Sequence, residues 1–228
     1  MPRLIRPDDF EIIEQLPGIV AIARDQDLRM IWCTPNFYPL TLTSKEPVKL
    51  IGTTLRDIMT ESAALEREVA LRKSMDTNTV ISHYQFSQDS RVLCTLFPFD
   101  ESAFGHRGVM IVIKDAPIAA RRSDEKPLQV MSSPDLSDLE TLSRRELEVL
   151  HHIAKGISTN EIATLLSRSS KTVEKQVNSI HTKLDTHSRA ELVRYATERG
   201  IQSFSDAEWS AIVEGARQVR KEKKSQKS

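Results

Sequence analysis

The stretch that most restricts the fold reads ISTNEIATLLSRSSKTVEKQVNSIHTKL, from Ile157 to Leu184. It holds two short apolar-periodic segments joined by a polar break from Ser167 to Lys171. Ser158 is an N-cap, and Glu161 three residues on completes a capping box, so a helix starts there. Ile162, Ala163, Leu165 and Leu166 are expected to share its buried face. In the second segment Val173, Val177, Ile180 and Leu184 recur at the spacing of one helix face. That leaves Lys171, Glu174, Lys175, Asn178 and His181 on the other faces. Two short helices, the second polar and basic outside, suit a helix-turn-helix, which buries one side and offers the other to a major groove.

The chain has 228 residues, enough for two modest domains. Its net charge of +0 argues against a nucleic-acid partner until the chain is divided. Up to Ala120 there are 13 Lys+Arg against 16 Asp+Glu, or −3, and from Arg121 onward 19 against 16, or +3. The mild basic excess lies in the half that holds the paired helices. Met1–Pro17 carries acids and no apolar run, so no secretory signal is expected, and no stretch is long enough to span a bilayer. Two cysteines, Cys33 and Cys94, make no disulfide framework and fit a reducing compartment; the expected location is cytoplasmic, with no membrane contact. Four-ligand Cys/His spacings are absent, so no metal site is expected.

In the first half, Ile19–Arg24 and Arg29–Thr34 read as a hairpin around an acidic turn. Thr54–Met59 and Ser62–Met75 read as helices, the second amphipathic through Leu65, Val69 and Leu71. Thr79–Ser87, Arg91–Phe99 and Gly108–Lys114 read as three further strands. This order predicts an α+β module, a five-stranded antiparallel sheet with helices on one face. A phosphoacceptor receiver, suggested by Asp8-Asp9, Asp57 and Lys114, fails because no apolar strand leads into those acids.

The layout, together with Asn36 after the second strand and Gly52-Thr-Thr-Leu-Arg-Asp-Ile-Met, resembles a PAS domain over roughly Phe10 to Ala116. The resemblance implies a sensory module. A haem-binding version would need a histidine on the central helices, whereas His83 falls in a strand and His106 in a turn, where solvent-facing roles are expected for both. No flavin-type cysteine motif occurs. Trp32, Phe37, Tyr38, Phe86, Phe97 and Phe99 are candidates to line a ligand pocket or simply core; no cofactor is predicted, and a small-molecule ligand of unknown identity is left open. Cys33 and Cys94 are expected as buried small hydrophobes.

Prolines and paired serines break the periodicity between Pro117 and Glu140, as in an exposed linker, so the two modules are expected to couple by docking or dimer contacts rather than through a rigid rod. Beyond it, Ser143 with Glu146 caps a helix carrying Leu147, Leu150, Ile153 and Ala154, and Gly156 ends it. A fourth helix, Ser188–Arg199, ends at Gly200. Ser205 and Glu208 cap an extra helix with Trp209, Ile212, Val213, Ala216 and Val219 on one side, and the Lys221–Lys227 tail is expected to be disordered. The domains expected are 1–116 sensory, 117–140 linker, 141–200 DNA-binding and 201–228 helix and tail.

The runs L-S-R-R-E-L-E-V-L, K-G-I-S-T-N-E-I-A, S-S-K-T-V-E-K-Q-V, K-L and S-R-A-E-L closely resemble, in order, the LuxR/FixJ-type (GerE-like) DNA-binding domain over Leu142 to Tyr195. The resemblance implies a non-enzymatic, sequence-specific transcription regulator acting as a homodimer on double-stranded DNA, with RNA polymerase as a further contact. It makes Glu146 and Glu148 polar anchors of the first helix. It sends Lys171, Thr172 and Lys183 to phosphates and Glu174, Lys175 and Asn178 to base edges. Leu192, Val193, Ala196 and Thr197 become a dimer seam. Three departures stand out. Arg168 occupies an aliphatic position in the turn, where it can add a backbone contact; Gln176 replaces a common His; Asp185 replaces a Gly and must take a left-handed conformation. The same pattern also resembles the promoter-reading last region of sigma factors, and a protein-interaction adaptor with secondary DNA binding is the remaining alternative.

Overall fold

The computed structural model describes residues 12–35, 50–116 and 128–225. Asp8, Asp9, Asn36, Phe37, Tyr38, Pro117, Arg121, Arg122 and Pro127 lie outside the described residues. The chain forms β1 (Ile19–Asp25), β2 (Met30–Cys33), α1 (Leu55–Ile58), α2 (Glu61–Thr77), β3 (Ile81–Ser87), β4 (Ser90–Phe99), α3 (Glu101–Phe104), β5 (Gly108–Asp115) and β6 (Gln129–Val130). These precede helices α4 (Arg144–Ala154), α5 (Thr159–Leu165), α6 (Ser170–Leu184), α7 (Arg189–Glu198) and α8 (Asp206–Ser225). Among the described residues no helix is long and apolar enough to cross a membrane.

The sheet has six strands in the order β2-β1-β5-β4-β3-β6, one more than the sequence predicts. The first five pair antiparallel; β6 joins β3 in parallel through His83 opposite Gln129 and Tyr84 opposite Val130. A strand of two residues has no periodicity to read, and β6 forms only because β3 offers it an unpaired edge. Gln88 and Asp89 join β3 to β4, both with positive φ (52° and 60°), the two-residue turn whose twist suits a hairpin.

Alternation along the strands gives the sheet two different faces. On one, Ile22, Leu96 and Ile111 pack with Leu55, Ile58 and Leu71 of the covering helices. On the other, Ala23, Phe99 and Met110 are buried beside the half-buried Trp32, Phe97 and Val112. Helix α2 does not bury the stripe expected of it: Leu65 and Val69 are 52% and 62% exposed, and Ala63, Ala64, Leu71, Ser74 and Met75 face inward. The small side chains let the helix approach the sheet, which the larger residues would prevent.

The helical half surrounds one apolar cluster that includes Leu147, Leu150, Ile162, Ile180, Leu192 and Trp209, and Phe86 of β3 belongs to it. Phe86 meets Trp209 edge-on with ring centroids 5.7 Å apart. Beside it the Arg91 guanidinium lies 3.5 Å from the Tyr84 ring centroid and 5.3 Å from that of Phe204, while the Arg91 amide donates to the Arg199 carbonyl at 2.9 Å. The two halves are thus docked, not strung on a rod.

The segment after β6 differs from the exposed linker expected there, because Met131, Leu136 and Leu139 are buried. Asp89 in the hairpin turn accepts from the amides of Asp138 (3.2 Å) and Leu139 (3.4 Å), ordering the 3-10 turn Ser137–Thr141. Glu66 on α2 accepts from the Ser132 amide (2.7 Å), the Ser132 hydroxyl (2.9 Å) and the Ser133 amide (2.9 Å). Arg67 donates to the Ser133 carbonyl at 3.2 Å. From the other side α8 closes in at Gly215, where a Cβ would stand 1.8 Å from the Ser132 carbonyl oxygen. Helix α8 also accepts from Ser62 through Glu222 (3.1 and 3.0 Å), and its basic end, expected as tail, stays helical through Ser225.

Candidate nucleic-acid interface

Each helix of the motif begins where its cap stands. Ser143 accepts from the Glu146 amide at 3.3 Å while the Glu146 carboxylate accepts from the Ser143 amide at 2.6 Å. Ser158 and Glu161 repeat the exchange, and Ser169 accepts from the Thr172 amide at 3.2 Å. Between α5 and α6, Ser167 takes a left-handed φ of 51° and the Arg168 amide donates to the Ala163 carbonyl at 2.8 Å. Ser170 then donates to Asn160 Oδ1 at 2.7 Å, bracing the start of α6 against α5. Asn160 carries no mark of that role in the sequence. Helix α6 ends with Asp185 left-handed at φ 49°, as the missing glycine requires.

Helix α6 turns Val173 and Ile180 fully inward, with Val177 and Leu184 packed beside them. Lys171, Thr172, Glu174, Lys175 and Asn178 are exposed, and so is Arg168 in the turn. These six side chains gather at the start and along the outer side of one helix. Gln176, by contrast, is half-buried.

Lys183 differs from its expectation. Its ammonium closes on Glu146, 2.9 Å and 2.7 Å from the two carboxylate oxygens, and Ser179 adds a hydroxyl at 2.6 Å. Burial pushes the Glu146 carboxyl up, but Lys183 and the serine donors outweigh it and hold it down at about 2. This pair ties α4 to the end of α6, and a phosphate would share the Lys183 ammonium with Glu146. Glu148 takes Arg144 and Arg145 instead, at 3.1 and 2.5 Å.

Two other expectations are corrected. Leu192 and Ala196 are completely buried inside this chain, in the cluster shared with α4, so they are core and not a dimer seam; Val193 packs against the same cluster. Helix α7 turns Leu192 and Ala196 toward α4, whereas Val193 is half-buried and Thr197 stays exposed. Leu165 is 59% exposed, because the helix ends there and its last turn points the side chain past the core.

The sheet half holds a cavity of about 140 Å³ between its helix-covered face and α2. Among the described residues none of the candidate aromatics lines it; they are core, the other role left open for them. Phe86 points into the helical half, Trp32, Phe97 and Phe99 lie on the opposite face, and Phe37 and Tyr38 fall outside the described residues. Instead Ile22, Leu71 and Ile111 line it with Arg67, His83 and Gln85, and Ser133, Pro134 and Asp135 close one side. His83 is buried rather than solvent-facing; burial and Arg67 push it down to about 4, leaving a neutral ring. Its Nδ1, like Arg24 Nε, is buried without a hydrogen-bond partner among the described residues. Cys94 also lines this cavity, its thiol pushed up to about 12 by burial, whereas Cys33 is half-buried on a strand separated from it by β1 and β5.

Known proteins resemble the chain in part. The Oxygen regulatory protein NreC of Staphylococcus haemolyticus is 49% identical over 63 residues, covering 28% of this chain and 29% of that protein. Its counterpart in Staphylococcus epidermidis is 45% identical over 76 residues, covering 33% and 34%. The matched part therefore spans about a third or less of these relatives' length. Among solved structures, the Vibrio cholera VqmA–ligand–DNA complex aligns over 90% of this chain and 93% of its own, with 20% identity and a TM-score of 0.43. VqmA bound to DPO aligns over 89% and 92%, with 20% identity and a TM-score of 0.40. Residues 140–196, the segment that builds the capped helices and the exposed face of α6, match the family described as bacterial regulatory proteins, luxR family.

Proposed function

We propose that the chain is a sequence-specific DNA-binding transcription regulator whose helix α6 enters the major groove, one from each subunit of a homodimer. The observation that carries this reading is the exposed face formed by Lys171, Thr172, Glu174, Lys175 and Asn178 on a helix whose opposite side is locked into the core. Lys171 and Thr172 stand in the first turn of the helix, whose positive dipole end suits a phosphate. Lys175 can donate to guanine, Asn178 can pair with adenine, and Glu174 can accept from cytosine. Arg168 adds a cation beside the same strand of the duplex. The docked sheet half meets Arg199 just past α7 and Trp209 of α8, and the face on α6 stays exposed.

The test is binding to a selected duplex and to its single-base variants at several salt concentrations. Lys175→Ala is expected to cost about 2 kcal/mol at one base pair and to relax preference there. Lys171→Ala is expected to weaken all duplexes alike and to flatten the salt dependence. Equal weakening of every duplex by Lys175→Ala overturns the base-contact assignment.

The same reading makes the sheet half a sensor of a small molecule held in the cavity beside His83 and Arg67. A volume of about 140 Å³ is the size that accepts a single six-membered ring. Residues Ser133–Asp135 form one wall of that cavity, and their neighbour Ser132 lies against Gly215 of α8. Occupancy would therefore reach the helical half through this loop. Native mass spectrometry of the freshly purified protein, compared with His83→Phe, is expected to show a bound adduct only in the unsubstituted chain.

A further inference from the structure

Where α4 meets the first turn of α8, two adjacent histidines and an aspartate turn their donor atoms toward one point. One ligand atom each from His151, His152 and Asp206 lies within 4.8 Å of the others. His151 is oriented from behind: its Nε2 lies 3.0 Å from the Phe204 carbonyl oxygen, which can only accept. The ring hydrogen therefore sits on Nε2, and the lone pair of Nδ1 points at Asp206, 3.7 Å away. A carbonyl that fixes the tautomer in this way is the outer-layer partner that metal-binding histidines use. The Nδ1 of His152 is buried with no hydrogen-bond partner among the described residues.

We propose that His151, His152 and Asp206 bind a divalent transition-metal ion of the zinc class, clamping α4 to the start of α8. Two imidazoles and a carboxylate suit such an ion and leave a fourth position for water. A cation already occupies part of the site: the Lys155 ammonium lies 2.6 Å from Asp206 Oδ1. Its side chain is 26% exposed, so it has a path into solvent when an ion takes its place. The donors then need to close to about 3.3 Å apart, the separation set by tetrahedral bonds to zinc. The sequence hides this site because its third ligand comes from a helix far along the chain.

The site adjoins the joint between the two halves. His151 stacks on Trp209 at 5.3 Å, and Trp209 is the residue that receives Phe86. Metal binding is independent of the DNA-binding reading and is tested without DNA. The chelator-treated full chain is titrated with Zn²⁺ by calorimetry and with Co²⁺ by visible absorption. One ion per chain is expected, with the intense absorption of four-coordinate Co²⁺. His152→Ala and Asp206→Asn, checked for unchanged circular dichroism, are each expected to weaken binding roughly ten-fold or more. Lys155→Ala is expected to tighten it by roughly ten-fold, because the competing cation is gone. Absence of binding by both the unsubstituted chain and Lys155→Ala overturns the proposal. So does binding that neither His152→Ala nor Asp206→Asn weakens, since the ion then sits elsewhere.

Discussion

In the helical half, capping residues announce most of the helix starts and one continuous buried cluster joins the helices, whereas the sheet half splits its apolar residues between two smaller clusters on opposite faces. The sheet half also keeps a cavity with buried polar atoms, Arg24 Nε and His83 Nδ1, that have no partner among the described residues. The first region is built to hold one shape under load, as a helix presented to a partner must be. The second retains space inside its own core, and it completes itself by lending Phe86 to its neighbour's core. The difference teaches that a continuous core and a cavity are housed apart but joined through one strand.

The sharpest way to break that comparison is to remove the loan. Phe86→Ala is expected to cost about 4 kcal/mol in urea denaturation, because an aromatic ring leaves a cavity inside the helical cluster. If the loss is under about 1 kcal/mol, β3 is not a shared element and the two regions stand independently.

Within the helical half alone, Glu146→Ala is expected to cost about 3 kcal/mol, since it strands Lys183 and removes one half of the capping box of α4. The contribution has a pH signature. The folded carboxyl is held at about 2, below its ordinary 4.5. The stabilisation is therefore complete above about 4.5 and is lost as pH falls toward 2. Thermal melts of Glu146→Ala and the unsubstituted chain should converge as the solution is acidified across that window.

A smaller effect probes the contact between the regions. Gly215→Ala drives a methyl group into the Ser132 carbonyl, and about 2 kcal/mol is expected, read from melting of the full chain. Smallest of the four, Asp89→Ala removes the acceptor that orders residues 138 and 139 and should cost about 1 kcal/mol, a capping-sized loss.

These same contrasts explain what the sequence discloses. Ser158 with Glu161, Ser143 with Glu146 and Ser205 with Glu208 act over three residues, so local order alone reveals them. Strands β1 to β5 are legible for the same reason, through alternation and turn residues. What escapes is any choice between faces. Leu65 and Val69 carry a plausible stripe, but only the sheet's surface decides that Ala63 and Ala64 face it instead. His83 reads as a solvent-facing strand residue until α2 and the loop after β6 cover it. Leu192 and Ala196 are apolar in either role; the packing of α4 makes them core. The exposed side of α6 is legible because its buried stripe is, whereas the pairing of Lys183 with Glu146 depends on two helices meeting.

The loop from Ser132 to Asp135 carries a consequence for how such a chain can be rebuilt. It is at once a wall of one compartment and the surface on which Gly215 rests. Chimeras cut before it would keep a pocket with a foreign wall; chimeras cut after it would keep the wall but face a foreign helix. If the cavity takes a ligand as proposed, its preference and its coupling are inherited as one unit, and transplanting the sheet half means carrying α8 along with it.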